Sequence, residues 1–231
     1  MNSETIDKRY VGATASNYES KRLGSKKWEN EQHAVELLLS KARLSYDIRT
    51  LLDIPVGTGR FIPLYQELPI MATGMDVSDD MLSEADKKVS KDADNIILRK
   101  GNVLDESTID AEPDIVVCIR LLNWFKMNHV EIALQNMIRT NTSFIIVGIR
   151  TKREARMGFL RRAWVKAGQI GLSIKNMEIS SSDGIEIHTE KDWTAMIDKY
   201  NLSIENKILI DVGLFGKKYG TEYYIYLMKC G

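Results

Sequence analysis

The chain has 231 residues, enough for one large domain with a full apolar core. Its 32 basic and 32 acidic residues cancel, so no global field directs it to nucleic acid or to an anionic membrane. The two cysteines, Cys118 and Cys230, match neither a disulfide framework nor a zinc-ligand spacing, and no metal site is expected. The N-terminus is polar and no apolar run reaches membrane-spanning length. These features favour a soluble, cytoplasmic protein.

Apolar runs alternate with helix-like segments through the chain. The predicted strands cover residues 51–54, 70–76, 96–98, 114–119 and 144–149, and the predicted helices cover about 27–40, 59–67, 78–91 and 129–140. Short continuous apolar strands separated by helices are typical of a parallel sheet covered on both faces. After a helix from about residue 190, KILIDVGLFGKKYGTEYYIYLMKC has two apolar runs with no room for a crossover helix, which predicts an antiparallel pair. The sequence therefore predicts one α/β domain with a mostly parallel seven-stranded sheet and an antiparallel last strand.

The stretch LLDIPVGTGRF, residues 51–61, joins the first strand to the next helix. Gly57 and Gly59 allow the backbone to turn sharply and to approach a ligand closely, and the helix start offers free N–H groups. Ile62 occupies the place of the third glycine of a dinucleotide fingerprint, and no Gly-Lys-Ser or Gly-Lys-Thr follows, which disfavours nicotinamide, flavin and nucleoside triphosphate ligands. Asp53 would place a carboxylate near this loop, which favours a ligand that carries positive charge.

A second acid, Asp76, ends the second predicted strand in the stretch ATGMDVS. In an open parallel sheet, the crevice lies beyond the carboxyl ends of the strands, where a carboxylate can accept both hydroxyls of a ribose. The alternative is structural, because the same carboxylate could cap the helix that begins at Ser78.

The spacing D-x-x-x-G-x-G, the acid that ends the second strand and the reversed last strand together resemble the class I S-adenosylmethionine-dependent methyltransferases over nearly the whole chain. The resemblance implies a Rossmann-like fold with helices on both faces of the sheet, an enzyme of the EC 2.1.1 class, S-adenosyl-L-methionine as cofactor and S-adenosyl-L-homocysteine as product. KGNVLD and PDIVVCIRLLNWF look like the third and fourth motifs of the family. Asn102 departs from the family's common aspartate, although its carbonyl can still accept a hydrogen bond from adenine, and Pro55 and Val56 replace a commoner small pair.

The cofactor residues implied by this resemblance extend along the first half of the chain. They are Asp53, Pro55, Gly57, Gly59, Arg60, Asp76, Val77, Met81, Gly101, Asn102, Val103, Cys118, Ile119 and Arg120, with Tyr18 and Arg22 from an N-terminal lid. Segments similar to the N-terminal one cover the cofactor in small-molecule methyltransferases, so Arg22 is expected to pair with the methionine carboxylate and Tyr18 to cover the sulfonium. The alternative is that both are ordinary surface residues.

Methyl transfer from a sulfonium needs alignment more than a base, because the electrophile is already activated. The catalytic candidates are Arg120 and Asn123 at the end of the fourth strand, with His188 as a possible general base from the late insertion. Trp124 is a candidate for substrate contact, or alternatively a core aromatic.

The segment RTKREARMGFLRRAWVKAG carries seven basic residues and one acid, with apolar residues at helical spacing. Arg161 and Trp164 are its expected substrate contacts. A solvated lid helix, a docking surface for membrane or RNA, and a site for an acidic acceptor remain alternatives. A small-molecule acceptor ranks first, DNA is not expected, and a non-catalytic cofactor-binding protein is the rival class. The division expected within this single domain is a helical lid (1–45), a cofactor core (46–150), a substrate lid (151–190) and the last helix with the hairpin (191–231).

Overall fold

The computed structural model describes residues 24–109, 111–152, 185–215 and 219–231. Four of the expected site residues, Tyr18, Arg22, Arg161 and Trp164, lie outside these ranges.

Five helices and eight strands occur within the described ranges. The helices are α1 (Lys26–Ser45), α2 (Ile62–Gln66), α3 (Asp79–Asp86), α4 (Met127–Arg139) and α5 (Glu190–Lys199). The strands are β1 (Thr50–Asp53), β2 (Met71–Asp76), β3 (Ile96–Lys100), β4 (Ile115–Cys118), β5 (Phe144–Lys152), β6 (His188–Thr189), β7 (Ser203–Phe215) and β8 (Tyr219–Lys229).

The strands form one sheet in the order β3-β2-β1-β4-β5-β8-β7, and the short β6 pairs with the end of β5. Strands β3, β2, β1, β4 and β5 run parallel, whereas β8 is antiparallel to both of its neighbours. The strand order reverses at β1, because β2 lies on one side of it and β4 on the other. This confirms the predicted fold class and its reversed last strand, with β6 as an unpredicted addition.

Each face of the sheet carries its own apolar core. The core on one face combines α1 with inward side chains of the strands and includes Val35, Leu38, Leu39, Leu51, Ile115, Val117, Ile146 and Ile225. The core on the other face combines α4 and α5 with the alternate strand residues and includes Leu52, Val116, Ile145, Val147, Val130, Leu134, Trp193 and Ile197. Continuous apolar strands are buried on both sides in this way because helices cover both faces.

Local sequence determines where several helices begin. Ser25, Ser78 and Thr189 precede α1, α3 and α5, and each side-chain oxygen accepts a hydrogen bond from a backbone N–H in the first turn. The predicted start of the second helix at residue 59 is too early. Gly57 and Gly59 have φ values of 57° and 73°, which the α-helix excludes, so α2 begins only at Ile62. Within the described ranges, no helix is long and apolar enough to cross a membrane.

Candidate functional site

A cleft opens at the carboxyl ends of β1 to β4, on both sides of the strand-order reversal. This is where open α/β sheets bind ligands. The cleft holds about 960 Å³ of empty space, counted out to the solvent at its mouth. Eleven of the expected cofactor residues line it: Pro55, Gly57, Arg60, Asp76, Val77, Met81, Gly101, Asn102, Val103, Ile119 and Arg120. The wall of the cleft also contains the aromatic residues Trp28, Trp124 and Phe125.

The loop after β1 is held on the sheet by hydrogen bonds from its own backbone. Val56 N–H donates to the carbonyl of Met75 at 2.8 Å, and Gly57 N–H donates to Oδ2 of Asp76 at 2.9 Å. The other oxygen of Asp76, Oδ1, accepts from Ser78 N–H at 3.0 Å. Asp76 therefore fixes both the glycine loop and the start of α3, so the structural role considered for it is present. A carboxylate oxygen can accept more than one hydrogen bond, so these two contacts do not by themselves prevent a ligand hydroxyl from bonding to Asp76.

The two glycines of the loop serve different purposes. A Cβ on Gly57 would meet no atom within 4 Å, so its backbone faces open space. A Cβ on Gly59 would lie 2.9 Å from Cα of Ala85 and 2.5 Å from Cδ1 of Ile62. Gly59 therefore permits close packing of the loop on α3, which is the role that the third glycine has in a dinucleotide fingerprint.

This difference predicts unequal stability losses for two alanine substitutions. Gly57→Ala meets only the strain of a left-handed backbone, about 1 kcal/mol. Gly59→Ala has the same strain and must also displace α3, so its loss in the free energy of unfolding should be larger, about 2–4 kcal/mol in total. Urea denaturation of both variants measures the difference, and equal losses would contradict the packing role of Gly59.

The neighbouring β3 turn is shaped by Gly101 and Asn102. Gly101 N–H donates to the carbonyl of Asp76 at 3.0 Å, and a Cβ on Gly101 would lie 2.7 Å from Sδ of Met75. Asn102 lines the cleft, and its Oδ1 accepts from Leu104 N–H at 3.0 Å. The carbonyl expected to accept from adenine is therefore already engaged within its own turn, with one lone pair left.

Asp53 lies beneath the loop and does not line the cleft. Its side chain is buried, and Oδ2 accepts a hydrogen bond from the hydroxyl of Tyr65 at 3.1 Å. Burial raises the pKa of Asp53 to about 8, with a further contribution from the charge of Asp76. A carboxyl that is largely neutral at pH 7 attracts a cationic ligand only weakly, so the expected electrostatic role of Asp53 has little support here.

The raised pKa predicts a pH-dependent effect on stability. The unfolded chain loses the Asp53 proton near pH 4 and the folded chain near pH 8, so this group lowers the free energy of unfolding progressively between those values. Asp53→Asn removes that contribution and keeps an acceptor for Tyr65. The melting temperature of Asp53→Asn relative to wild type should therefore rise between pH 5 and pH 8.5. Asp79→Asn, at an exposed position, is the control, and a pH-independent difference for Asp53→Asn would refute the prediction.

A buried carboxylate from α1 joins two arginines of the cleft wall. Oε2 of Glu31 accepts from Nη1 of Arg60 at 2.7 Å and from Nε of Arg120 at 2.7 Å. Glu31 is fully buried, and its other oxygen, Oε1, has no hydrogen-bond partner among the described residues. Both guanidinium groups lie over the ring of Trp28, at 3.6 Å for Arg60 and 5.0 Å for Arg120. The N-terminal helix is thus part of the cleft.

Trp28 and Glu31 belong to none of the predicted motifs, although the sequence carries a signal for Glu31. The buried positions of α1 recur at helical spacing, and Glu31 falls on that apolar stripe between Trp28 and Ala34. An acid on the buried face of a helix requires a cationic partner.

Glu31→Gln tests this contact. Removing one partner of a buried ion pair leaves the other charge uncompensated, so the free energy of unfolding should fall by about 3 kcal/mol. Glu29→Gln, at an exposed position of the same helix, is the matched control and should be near neutral. A loss no larger than that of the control, measured by urea denaturation, would mean that the ion pair does not contribute to stability.

Only some of the remaining predicted catalytic, cofactor and substrate residues line the cleft. Asn123 donates from Nδ2 to the carbonyls of Arg150 and Glu186 and accepts from Arg150 N–H, all within 2.9 Å, so its side chain joins the turn after β4 to β5 and to the segment before β6. His188 is buried outside the cleft lining, with Nε2 3.2 Å from the carbonyl of Leu122, and burial lowers its pKa. Cys118 is fully buried behind the cleft. Trp124 and Arg120 do line it, and Arg120 has a φ of 62°.

Two kinds of comparison with known proteins agree with this geometry. Residues 51–142, about two fifths of the chain, match the family described as "Methyltransferase domain". The structure is similar to magnesium protoporphyrin IX methyltransferase (ChlM) from Synechocystis PCC 6803 with bound SAH, with a TM-score of 0.67, 15% identity and coverage of 99% of this chain and 100% of that one.

Two further structures share the fold at 15% identity. The methyltransferase domain of bacterial CtHen1-C has a TM-score of 0.59, with 87% of this chain and 97% of that chain covered. A structure described as a pericyclic reaction enzyme has a TM-score of 0.52, with 80% and 43% covered. Among the curated proteins, nothing matches the sequence.

Residues 51–142 thus match a methyltransferase domain, and the chain as a whole has the fold of solved structures of S-adenosylmethionine-dependent methyltransferases. The family resemblance and the enzyme class that the sequence predicted are confirmed. Within the described ranges, no group of three side chains is arranged to hold a metal ion.

Proposed function

We propose that this chain binds S-adenosylmethionine in the cleft and transfers its methyl group to an oxygen, nitrogen or carbon of a small-molecule acceptor. The observation that carries the proposal is the pairing of Asp76 with the open Gly57 loop at the strand-order reversal. Gly57 N–H of the loop donates a hydrogen bond to Oδ2 of Asp76, with 2.9 Å between the nitrogen and the oxygen. S-adenosylmethionine would need the carboxylate for its two ribose hydroxyls and the loop backbone beside it for the part of the molecule that carries the sulfonium.

The residues that line the cleft can be assigned to successive parts of the cofactor. Asp76 would accept the ribose hydroxyls, and the β3 turn with Asn102 would receive the adenine. Arg60 and Arg120 would face the methionine carboxylate, because guanidinium groups bind carboxylates well. Arg22 and Tyr18 of the N-terminal segment, and the four-part division of the domain, remain part of the proposal.

The chemistry needs little from the protein beyond alignment. When bound, S-adenosylmethionine supplies a methyl group activated by the sulfonium, which is transferred by in-line displacement. Trp28, Trp124 and Phe125 would exclude water and orient an acceptor against the cleft wall. No base is needed for an acceptor that is already deprotonated, so the burial of His188 outside the cleft lining does not prevent reaction.

A small-molecule acceptor agrees with the limited size of the cleft, with its aromatic wall and with the small-molecule substrate for which the Synechocystis neighbour is named. Arg161 and Trp164 are proposed as further substrate contacts. Cytoplasmic location is also proposed, because Cys118 and Cys230 are free thiols, as a reducing compartment would keep them.

The second candidate is a protein that binds the cofactor without transferring its methyl group. It is favoured by the neighbour described as a pericyclic reaction enzyme, which shows that the fold is not tied to one reaction. Calorimetric titration with S-adenosylmethionine, S-adenosylhomocysteine and NADH side by side tests cofactor binding. Binding of the first two alone supports both candidates and methyl transfer to screened acceptors separates them, whereas binding of neither would overturn the proposal.

Asp76→Ala tests the ribose assignment. Losing hydrogen bonds to a charged acceptor should weaken S-adenosylhomocysteine binding by about 1.5–3 kcal/mol, or roughly 10- to 150-fold. Asp79→Ala removes an exposed carboxylate three residues away and should leave the affinity unchanged. Calorimetry on both variants measures the effect, and wild-type affinity in Asp76→Ala would exclude Asp76 as a cofactor contact.

A further inference from the structure

The turn that joins β4 to α4 contributes to the cleft wall with some of its residues and not with others. Leu121, Trp124 and Phe125 line the cleft, whereas Asn123, which lies between them, does not. Residues 122–124 form a single turn of 3₁₀-helix, in which Trp124 N–H donates to the carbonyl of Leu121 at 2.8 Å. Such a turn has poor hydrogen-bond geometry and is used only in short pieces. The position of Trp124 therefore depends also on contacts from outside the turn.

The side chain of Asn123 makes three hydrogen bonds that anchor the turn. Nδ2 donates to the carbonyls of Arg150 and Glu186, each at 2.9 Å, and Oδ1 accepts from Arg150 N–H at 2.7 Å. The backbone adds a fourth, because Glu186 N–H donates to the carbonyl of Asn123 at 2.6 Å. Asn123 is thus bonded to two segments that lie 27 and 63 residues away along the chain.

The short strand β6 adds a further contact to the same turn. Nε2 of His188 lies 3.2 Å from the carbonyl of Leu122. His188 also pairs with Thr151 at the end of β5. The segment from Glu186 to His188 is therefore bonded both to β5 and to the turn, and Asn123 lies where these three parts of the chain meet.

The amide of Asn123 has no donor left for a ligand. A primary amide carries two N–H groups, and two carbonyls already accept from Nδ2 of Asn123. A ligand atom could accept from Nδ2 only by displacing one of those carbonyls. The contacts of Asn123 therefore favour a role that acts through the neighbouring residue.

We propose that Asn123 is a positioning residue that holds Trp124 in the part of the cleft wall that orients the methyl acceptor. This inference rests on the proposed function, in which Trp124 orients the acceptor, and it gives Asn123 no contact with the cofactor or with the transferred methyl group. Loss of the Asn123 side chain should affect Trp124 and spare the ribose side of the cleft, where Asp76 has partners of its own.

The experiment follows Trp124 in protein labelled with 5-fluorotryptophan, in which each of the four tryptophans gives a fluorine NMR signal. Trp124→Phe assigns the signal of Trp124, and Trp28→Phe assigns that of Trp28, which α1 carries and which is the internal reference. The variants are Asn123→Ala, which removes all three side-chain bonds, and Asn123→Asp, which keeps the shape and the acceptor oxygen but loses both donated bonds. Asn128→Ala, at an exposed position in the first turn of α4, is the matched control.

We expect the Trp124 signal to shift by more than its linewidth in both Asn123 variants and to stay in place in Asn128→Ala, with the Trp28 signal unchanged throughout. A role in stability alone would lower the free energy of unfolding and leave the Trp124 signal of the folded protein where it is. An unmoved Trp124 signal would therefore overturn the proposal. If Asn123→Ala does not fold, Asn123→Asp carries the test.

Calorimetry with S-adenosylhomocysteine separates the acceptor side of the cleft from the cofactor side. Its affinity should stay within about 3-fold of wild type in both Asn123 variants, and a loss of about 10-fold or more would contradict a role confined to the acceptor wall. If wild-type protein does not bind S-adenosylhomocysteine, the proposed function fails, whereas the Trp124 signal of the unliganded protein still decides whether Asn123 positions Trp124.

A double-mutant cycle connects the contact to activity. For an acceptor found in the methyl-transfer screen, Asn123→Ala should lower kcat/KM in the wild-type background and cause no further loss in Trp124→Ala, because its effect passes through Trp124. Equal losses in the two backgrounds would mean that Asn123 acts on the acceptor by itself, and would overturn the positioning role.

Discussion

The carboxylate of Glu31 is the contact on which the geometry of the cleft depends. It joins three parts of the chain that are distant in sequence: α1, the loop after β1 and the residue that follows β4. A fully buried carboxylate without cations would be strongly unfavourable, and two guanidinium groups this close would repel each other without it. The Glu31 carboxylate and the two guanidinium groups therefore depend on one another. Together they hold Trp28 in the wall of the cleft, because both guanidinium groups lie over its ring.

Asp76 plays the corresponding part on the other side of the reversal. Its carboxylate accepts from backbone N–H groups on both the glycine loop and the start of α3, so the loop is held before any ligand arrives. A preorganised site loses less entropy when a ligand binds. The two carboxylates differ in their partners: Asp76 accepts from neutral backbone N–H groups beside the cleft, whereas Glu31 pairs with two guanidinium groups of the cleft wall.

Sequence reasoning succeeded where a local pattern reports a local constraint. The parallel strands are visible as apolar runs, the reversed β8 as two runs without room for a helix, and the ends of β1 and β2 as Gly57 and Asp76. It failed where the constraint is between distant segments. The packing role of Gly59 depends on Ala85, and the raised pKa of Asp53 depends on its burial, neither of which any spacing in the chain encodes. Asn123 illustrates the same limit. Its position after β4 favours a catalytic role, whereas in the structure its side chain donates to the carbonyls of Arg150 and Glu186.

Local sequence patterns therefore inform on the cofactor, whereas contacts between distant segments inform on the acceptor. A cofactor shared by a whole fold is bound by features that every member must place at the same strand ends, so a single sequence reveals them. Side chains that meet only in the folded chain leave no such mark, as Lys27 of α1 and Arg150 of β5 show, since both lie against the ring of Tyr223 of β8. The net charge of zero over the whole chain does not indicate which charged side chains the fold brings together, so composition alone cannot reveal an acceptor site.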